Sequence, residues 1–146
     1  MSQIIEIFDK EKIEIQFVGG CIRDALVGKK NFDIDFSINC NPAITSKILT
    51  QNKISVLEYG KKYGTITAVI EKRKFEITSL RKDLNQRGRY TDIVFTNDWS
   101  KDARRRDFTF NAMYMLPSGK VTDYFFGKND IHLETCLLYT SDAADE

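Results

Sequence analysis

Two aspartates separated by a single residue carry the most evident chemistry in this sequence. Asp33 and Asp35 flank Ile34 within a mostly apolar run from Phe32 to Ile38. If this run is a strand, its side chains alternate between two faces, so both carboxylates share one face about 6.5–7 Å apart. Carboxylates this close repel each other unless a cation lies between them, and Mg²⁺ favours one or two carboxylates together with substrate phosphates. The pair therefore predicts a magnesium site for a phosphorylated substrate; the alternative is an exposed edge strand with polar residues outward.

A pair of glycines, Gly19 and Gly20, precedes these aspartates in the segment Gly19-Gly20-Cys21-Ile22-Arg23-Asp24. The residues around the pair predict a strand-to-helix turn. Glycines at such a turn let the backbone approach a phosphate, and free N–H groups at the start of a helix attract anions. Arg23 lies near the same helix end, off the apolar face. The segment predicts a phosphate contact, and the alternative is an ordinary tight turn with Arg23 on the surface.

A basic run, Arg104-Arg105-Arg106, follows much later and is succeeded by Asp107-Phe108-Thr109. Three consecutive arginines on a helix spread over nearly a full turn, so at most two of them can face one pocket. The surrounding segment, residues 61–106, holds 13 Lys and Arg against 6 Asp and Glu. A segment of this sign suits phosphate-rich partners, although a solvated basic surface explains it as well.

The elements that must position these residues follow from apolar periodicity. The pattern predicts an α/β domain that begins β-α-β and has a mixed sheet. Predicted helices cover residues 4–8, 22–28, 42–51 (with Ile44, Ile48 and Leu49 on one face) and 98–106. Predicted strands cover 13–18, 32–38, 54–57, 65–70, 74–80, 112–116 and 120–125, while the polar stretch 82–97 is predicted to be a loop.

Composition excludes several classes of protein. The chain has 146 residues, of which 42% are hydrophobic and 29% charged, and its formal net charge is +1, which fits one globular domain. It has no membrane-spanning apolar run, signal peptide or transit pattern. Its cysteines form no C-x-x-C pair and His132 is the only histidine, so neither a disulfide scaffold nor a zinc site is predicted. We expect a cytoplasmic domain with no membrane partner.

The last eleven residues, Cys136–Glu146, differ from the rest of the chain. They resemble the forward translation of a transposase sequencing adapter. We therefore predict that residues 136–146 are a non-native tail with few buried contacts. Residues 1–135 would then be the N-terminal fragment of a longer protein.

Five motifs occur together in the chain. They are Phe17–Asp24 with Asp33-Ile34-Asp35, Tyr63–Thr67, Glu76–Arg81, Arg105–Ala112 and Asp123–Gly127. Their order resembles that of the head domain of bacterial (class II) tRNA CCA-adding nucleotidyltransferases. The resemblance covers roughly residues 13–135 and implies a nucleotidyltransferase-superfamily (polymerase β-like) palm, with a mixed β-sheet and flanking helices.

The resemblance implies template-independent nucleotidyl transfer from CTP and ATP to the 3′ end of tRNA by two-metal chemistry. The residues it implies are Gly19, Gly20, Arg23 and Arg106 for nucleotide binding, Asp33 and Asp35 for two Mg²⁺ ions, and Glu76 as a third carboxylate. Because Phe75 and Ile77 alternate to the opposite face, Glu76 can reach the metals, although a surface glutamate beside Arg73 is the alternative. The family selects bases with a helix beyond the head domain, so the fragment alone is predicted to be inactive on tRNA.

Three other functions compete with CCA addition. Bacterial poly(A) polymerase shares this head domain, but the Gly60…Gly64-Thr65 segment and the Asn111-Ala112 ending favour the CCA type. An enzyme specialised for A or for CC addition carries the same motifs. A non-catalytic RNA- or nucleotide-binding module is the alternative from another class, against which the joint presence of the carboxylates and arginines argues. Two positions depart from the family: Tyr63 replaces a usual His, and Phe126 a usual Gly or Asn.

Overall fold

The computed structural model describes residues 1–28, 33–87, 90–106 and 112–124, which form helices and strands joined by short turns. The helices are α1 (Ser2–Lys10), α2 (Gly20–Leu26), α3 (Pro42–Gln51) and α4 (Trp99–Arg104), and a 3-10 turn covers Lys61–Tyr63. The strands are β1 (Ile15–Val18), β2 (Asp35–Ile38), β3 (Ser55–Leu57), β4 (Thr65–Ile70), β5 (Arg73–Ser79), β6 (Arg81–Arg87), β7 (Tyr90–Phe95), β8 (Met113–Met115) and β9 (Val121–Asp123). Within these ranges no helix combines the length and the apolar content needed to span a bilayer.

A mixed sheet of seven strands forms the centre of the fold, in the order β3-β4-β5-β2-β1-β8-β9. Strands β2 and β5 are parallel, and the other neighbouring pairs are antiparallel. Strands β6 and β7 form a separate two-stranded sheet. The predicted α/β class with a mixed sheet and flanking helices is confirmed.

One face of the large sheet carries the main apolar core. Helices α1 and α3 contribute to it because their apolar residues recur at helical spacing. Its fully buried members include Ile4, Phe8, Phe36, Ile38, Leu49, Ile66 and Ile77. Helix α3 begins as predicted, since the Asn41 side chain accepts a hydrogen bond from the Ala43 backbone N–H at 2.8 Å.

The predicted inner face of α3 is wrong at Ile44, whose side chain is half exposed (50%). The buried positions of α3 are Pro42, Thr45, Ser46, Ile48 and Leu49. A helix of 3.6 residues per turn that buries positions 42, 45, 46 and 49 directs position 44 towards solvent. The prediction used the spacing of the apolar residues alone and therefore placed Ile44 wrongly on the buried face of α3.

The predicted strand over residues 32–38 is wrong at Asp33 and Ile34, because β2 begins at Asp35. The antiparallel ladder with β1 ends where Val18 pairs with Asp35. After Val18 the chain turns at Gly19, whose φ of 79° few other residues adopt, so the ladder with β1 stops at Asp35. Asp33 therefore lies just ahead of the strand, exposed, instead of sharing a strand face with Asp35.

The predicted loop over residues 82–97 is also wrong, because most of it forms the hairpin of β6 and β7. The hairpin pairs Arg81 with Phe95 and Arg87 with Tyr90, and its register shifts between Asp83 and Gln86. The prediction depended on the regular alternation of apolar residues that is typical of a strand over a core. The hairpin forms a separate two-stranded sheet, and its sequence lacks this alternation.

Gly64 links the hairpin to the large sheet, and we expect its replacement by alanine to be more destabilising than an ordinary loop change. Gly64 has a φ of 90°, and an added Cβ would lie 2.8 Å from the Phe95 Cε1 atom. Left-handed backbone costs a non-glycine residue about 1–2 kcal/mol, and displacement of Phe95 adds to that cost. Gly64→Ala should therefore lower the free energy of unfolding by about 2 kcal/mol or more, measured by urea titration.

Gly119→Ala is the matched control for this change. Gly119 has a similar φ of 96°, but an added Cβ would meet nothing within 4 Å. The control should show the backbone cost alone. Equal losses in the two variants would contradict the inferred contact between Gly64 and Phe95.

Candidate active site

The face of the sheet opposite the main core is polar along β2 and β5. Alternation places Asp35 and Ser37 of β2 on this face, and the register places their neighbours on β5, Glu76 and Thr78, beside them. On the next strand Thr67 lies opposite Glu76, and Thr65 lies opposite Thr78 with their hydroxyl oxygens 3.0 Å apart. The polar face therefore presents two adjacent carboxylates at one end and hydroxyl groups beyond them.

Asp35 is the electrostatic centre of this face. Its burial raises the pKa of the carboxyl group, and the negative charges of Glu76 and Asp33 raise it further, while Arg106 opposes them. Crowded carboxylates whose ionised form is disfavoured are a favourable place for a bound cation. The structure thus brings Asp33, Asp35 and Glu76 into electrostatic contact, although Asp33 and Glu76 are exposed.

The donor atoms at this site fit magnesium. All three side chains offer carboxylate oxygen, which Mg²⁺ prefers. In the part of the chain that the structure describes, no group of three or more His, Cys, Asp or Glu side chains is arranged to hold a metal ion by itself. An ion here would need further oxygen ligands, and substrate phosphates are the usual ones for Mg²⁺.

The glycine turn adjoins Asp35. Val18 pairs with Asp35, and Gly19 and Gly20 follow it directly at the start of α2. An added Cβ at Gly19 would meet nothing within 4 Å, so the space beside this backbone is open. The predicted strand-to-helix turn is therefore present beside the carboxylates. The Nε atom of Arg23, on the same helix, lies 3.2 Å from the Asp24 carboxylate.

Arg106 reaches the same polar face from beyond the end of α4. Its Nη2 atom donates to the Ser37 hydroxyl at 3.3 Å, and Ser37 lies two residues from Asp35 on the same face. The guanidinium carbon lies 5.7 Å from the centroid of the Tyr114 ring. Among the described residues, the Nε atom of Arg106 is buried without a hydrogen-bond partner. The structure thus places the largely buried positive charge of Arg106 near the carboxylate of Asp35, and its Nε–H group is still available to donate a hydrogen bond.

Comparison with known proteins assigns this arrangement to a family. The family model described as the poly(A) polymerase head domain matches residues 15–136. The chain belongs to this head-domain family. The assignment confirms the resemblance predicted from the five motifs.

Individual relatives of this poly(A) polymerase head domain are longer proteins. The mitochondrial CCA tRNA nucleotidyltransferase 1 of Danio rerio is 40% identical over 129 residues, which cover 88% of this chain and 30% of the relative. The crystal structure of the Bacillus stearothermophilus CCA-adding enzyme in complex with CTP superposes with a TM-score of 0.77 and 29% identity, over 89% of this chain and 30% of that one. A tRNA nucleotidyltransferase complexed with a primer tRNA and an incoming ATP analog superposes with a TM-score of 0.69 and 28% identity, over 88% and 36% of the two chains. The head domain thus spans about a third of the length of these proteins.

Asp102 is the residue of the head domain that sequence reasoning missed. It is fully buried, and its Oδ2 atom accepts hydrogen bonds from the Tyr114 hydroxyl at 2.5 Å and from Arg106 Nη2 at 3.3 Å. Its Oδ1 atom accepts from Arg105 Nε and from the backbone N–H of Arg81, each at 3.0 Å. Burial opposes ionisation of Asp102, but the charges of Arg106 and Arg105 outweigh it and lower the pKa of the carboxyl group. The sequence did contain a signal for this cluster. Asp102 precedes Arg105 by three residues and Arg106 by four, and residues at these spacings are neighbours on a helix.

Some predicted features of the head domain lie outside the described residues. They are Phe32, the Asp107–Asn111 part of the arginine motif, the Phe125–Gly127 part of the last motif, His132 and the tail 136–146. The roles suggested for the site residues stay predictions, since none of the relatives' ligands is present here.

Proposed function

We propose that this chain is the catalytic head of a longer enzyme that adds CCA to the 3′ end of tRNA, using CTP and ATP. The observation that carries the proposal is the adjacency of Asp35 and Glu76 on the polar sheet face, with the Gly19–Gly20 turn and Arg106 beside them. The solved relatives support the substrates, because one contains CTP and another a primer tRNA with an ATP analog. The proposed head domain comprises residues 1–135, with residues 136–146 outside it.

The proposed chemistry divides the work between metal ligands and cations. We assign two Mg²⁺ ions to Asp33 and Asp35, with Glu76 as a third carboxylate that faces the same site. When bound, the ions lower the pKa of the attacking hydroxyl and stabilise the leaving pyrophosphate. Arg106 and Arg23 neutralise the triphosphate, and the Gly19–Gly20 backbone lets it approach closely. Catalysis by the chain's own residues is then chiefly positioning and electrostatic stabilisation.

The proposed function is tested with the complete gene product to which this head belongs. The protein is incubated with tRNA that lacks its 3′ CCA, with each nucleoside triphosphate separately and with CTP and ATP together. We expect CC with CTP alone and CCA with both nucleotides, while a tRNA that already ends in CCA stays unextended. Addition of A only, CC only or a poly(A) tract would replace CCA addition by the corresponding alternative. A folded protein that adds nothing would favour the non-catalytic binding module.

The cellular compartment stays a prediction. The sequence predicted a cytoplasmic protein, whereas one relative is named as mitochondrial and another is bacterial. Localisation of the complete gene product with a C-terminal fluorescent tag decides between the two compartments.

The 146-residue chain itself should bind nucleotides without distinguishing their bases. The residues assigned to the triphosphate make charge-assisted contacts to phosphate, which are the same for every base. We expect Mg²⁺-dependent binding of CTP, ATP, GTP and UTP with dissociation constants within about an order of magnitude, a spread of ~1.4 kcal/mol. Calorimetric titration with and without Mg²⁺ measures these constants.

Cytidine monophosphate is the matched control ligand, because it keeps the base of CTP and lacks the β- and γ-phosphates. It should bind much more weakly than CTP. A hundredfold preference for CTP over UTP would instead show that base selection lies within the head domain.

A further inference from the structure

The Arg106 guanidinium is enclosed by groups that the proposed chemistry does not itself use. Nη2 is 3.3 Å from Asp102 Oδ2 and 3.3 Å from Ser37 Oγ, and the Tyr114 ring lies beside the same group. We propose that Asp102 is a positioning residue, whose carboxylate holds Arg106 on the polar sheet face to receive the substrate's triphosphate. This inference rests on the proposed function, because it takes the triphosphate as the ligand of Arg106.

The charge balance of the cluster leaves Arg106 able to bind an anion. Asp102 gives one oxygen to Arg105 and the other to Arg106, so one carboxylate is shared between two guanidinium groups. The three side chains together retain a positive charge. A single Arg–Asp pair would instead be neutral and would attract a phosphate less strongly.

Geometry also favours positioning over simple charge neutralisation. A guanidinium has five N–H donors in a rigid plane, so contacts at one corner set the direction of the others. Here Asp102 and Ser37 both engage Nη2, while Nε has no partner among the described residues. Holding the long arginine side chain in advance removes the ordering cost from the binding step.

Asp102 can act in this way because it is itself fixed from several directions. The Tyr114 hydroxyl and the Arg81 backbone N–H both donate to it. The Tyr114 ring packs against Trp99 with centroids 5.1 Å apart, in a cluster that includes Val18. Since Val18 pairs with Asp35, this cluster connects the end of α4 to the strand that carries the proposed metal site.

A double-mutant cycle on the 146-residue chain tests the proposal. Mg²⁺-dependent CTP binding is measured by calorimetry for the wild type, Asp102→Asn, Arg106→Gln and the double variant, at a temperature where all four are folded. We expect Asp102→Asn to weaken binding about tenfold and Arg106→Gln at least as much. If Asp102 acts through Arg106, the double variant should bind within twofold of Arg106→Gln. The matched comparison for charge alone is Arg105→Gln, which removes one positive charge of the cluster and leaves the contact between Asp102 and Arg106, so it should weaken binding less than Arg106→Gln does.

Two spectroscopic readouts separate positioning from loss of structure. Trp99 is the only tryptophan in the chain and belongs to the same cluster, so its emission maximum reports whether the cluster stays packed. The ¹⁵Nε–H signal of Arg106, assigned by its loss in Arg106→Gln, should move towards free arginine in Asp102→Asn and stay in place in Arg105→Gln. If Asp102→Asn does not fold, Tyr114→Phe replaces it in the cycle, because that change removes one donor to Asp102 and leaves the ring and all charges.

The outcomes are distinguishable. Losses that add in the double variant, or a folded Asp102→Asn that binds CTP as tightly as the wild type, would overturn the positioning role and leave the proposed function standing. A wild-type chain that binds no triphosphate would overturn the positioning role and the assignment of Arg106 to the triphosphate, while the proposed function is decided by the tRNA extension experiment. Non-additive losses with a displaced Arg106 signal support the proposal.

Discussion

Replacing Asp35 with asparagine should abolish nucleotide addition by the complete gene product while leaving the fold intact. In the proposed site Asp35 is a metal ligand, and metal catalysis contributes several kcal/mol, each 1.36 kcal/mol being tenfold in rate. The expected loss is therefore at least about a thousandfold. Stability should not fall, because burial, Glu76 and Asp33 all disfavour the ionised form of Asp35, as its raised pKa indicates. Single-turnover extension of tRNA measures the rate, and thermal unfolding in the presence of a chelator measures the stability.

Asp9→Asn is the control for this experiment, since Asp9 is an exposed carboxylate on α1 and has no role in the site. It should leave the rate unchanged. Asp33→Asn should resemble Asp35→Asn, and Glu76→Gln decides whether a third carboxylate takes part. A folded Asp35→Asn protein that extends tRNA at close to the wild-type rate would refute the metal assignment.

The parts of the site that depend on residues close together in the sequence could be predicted. The glycine turn follows from local composition, and the placement of Glu76 on the polar face follows from its alternation with Phe75 and Ile77. The parallel pairing of β2 with β5, which puts Glu76 beside Asp35, depends on a connection through α3, β3 and β4. Only the family resemblance indicated that pairing in advance, because periodicity reports which face a residue occupies and not which strand lies next to it.

Two of the errors, at Asp102 and at the start of β2, have a common physical origin. Asp102 reads as a surface residue on a polar helix, and its burial depends on Tyr114 and on Arg81, 12 and 21 residues away. The start of β2 depends on where its partner β1 stops. In both cases the interaction that decides the structure is made by residues distant in the sequence, so a local sequence pattern does not predict it.

Replacing Asp102 with alanine should produce the largest loss of stability of any substitution considered for this chain. The change leaves Arg105 and Arg106 largely buried without their counter-charge, and removes the acceptor for the Tyr114 hydroxyl. Removal of one partner from a buried ion pair costs about 3–5 kcal/mol. Urea unfolding at pH 7, followed through Trp99 emission, should show a loss of that order.

The loss should also depend on pH in a direction set by the lowered pKa of Asp102. A carboxyl group whose pKa is lower in the folded state stabilises the fold above its unfolded pKa, about 3.9, and loses that contribution as pH falls through the folded value. The wild type should therefore exceed Asp102→Ala in free energy of unfolding by the whole amount at pH 7. This excess should decrease progressively below about pH 4. The control is Asp98→Ala, on the same helix, which removes an exposed N-terminal cap and should cost less. If the difference in free energy of unfolding stays constant down to the acid transition, the Asp102 side chain stabilises the fold by packing alone, and its charge does not stabilise the two arginines.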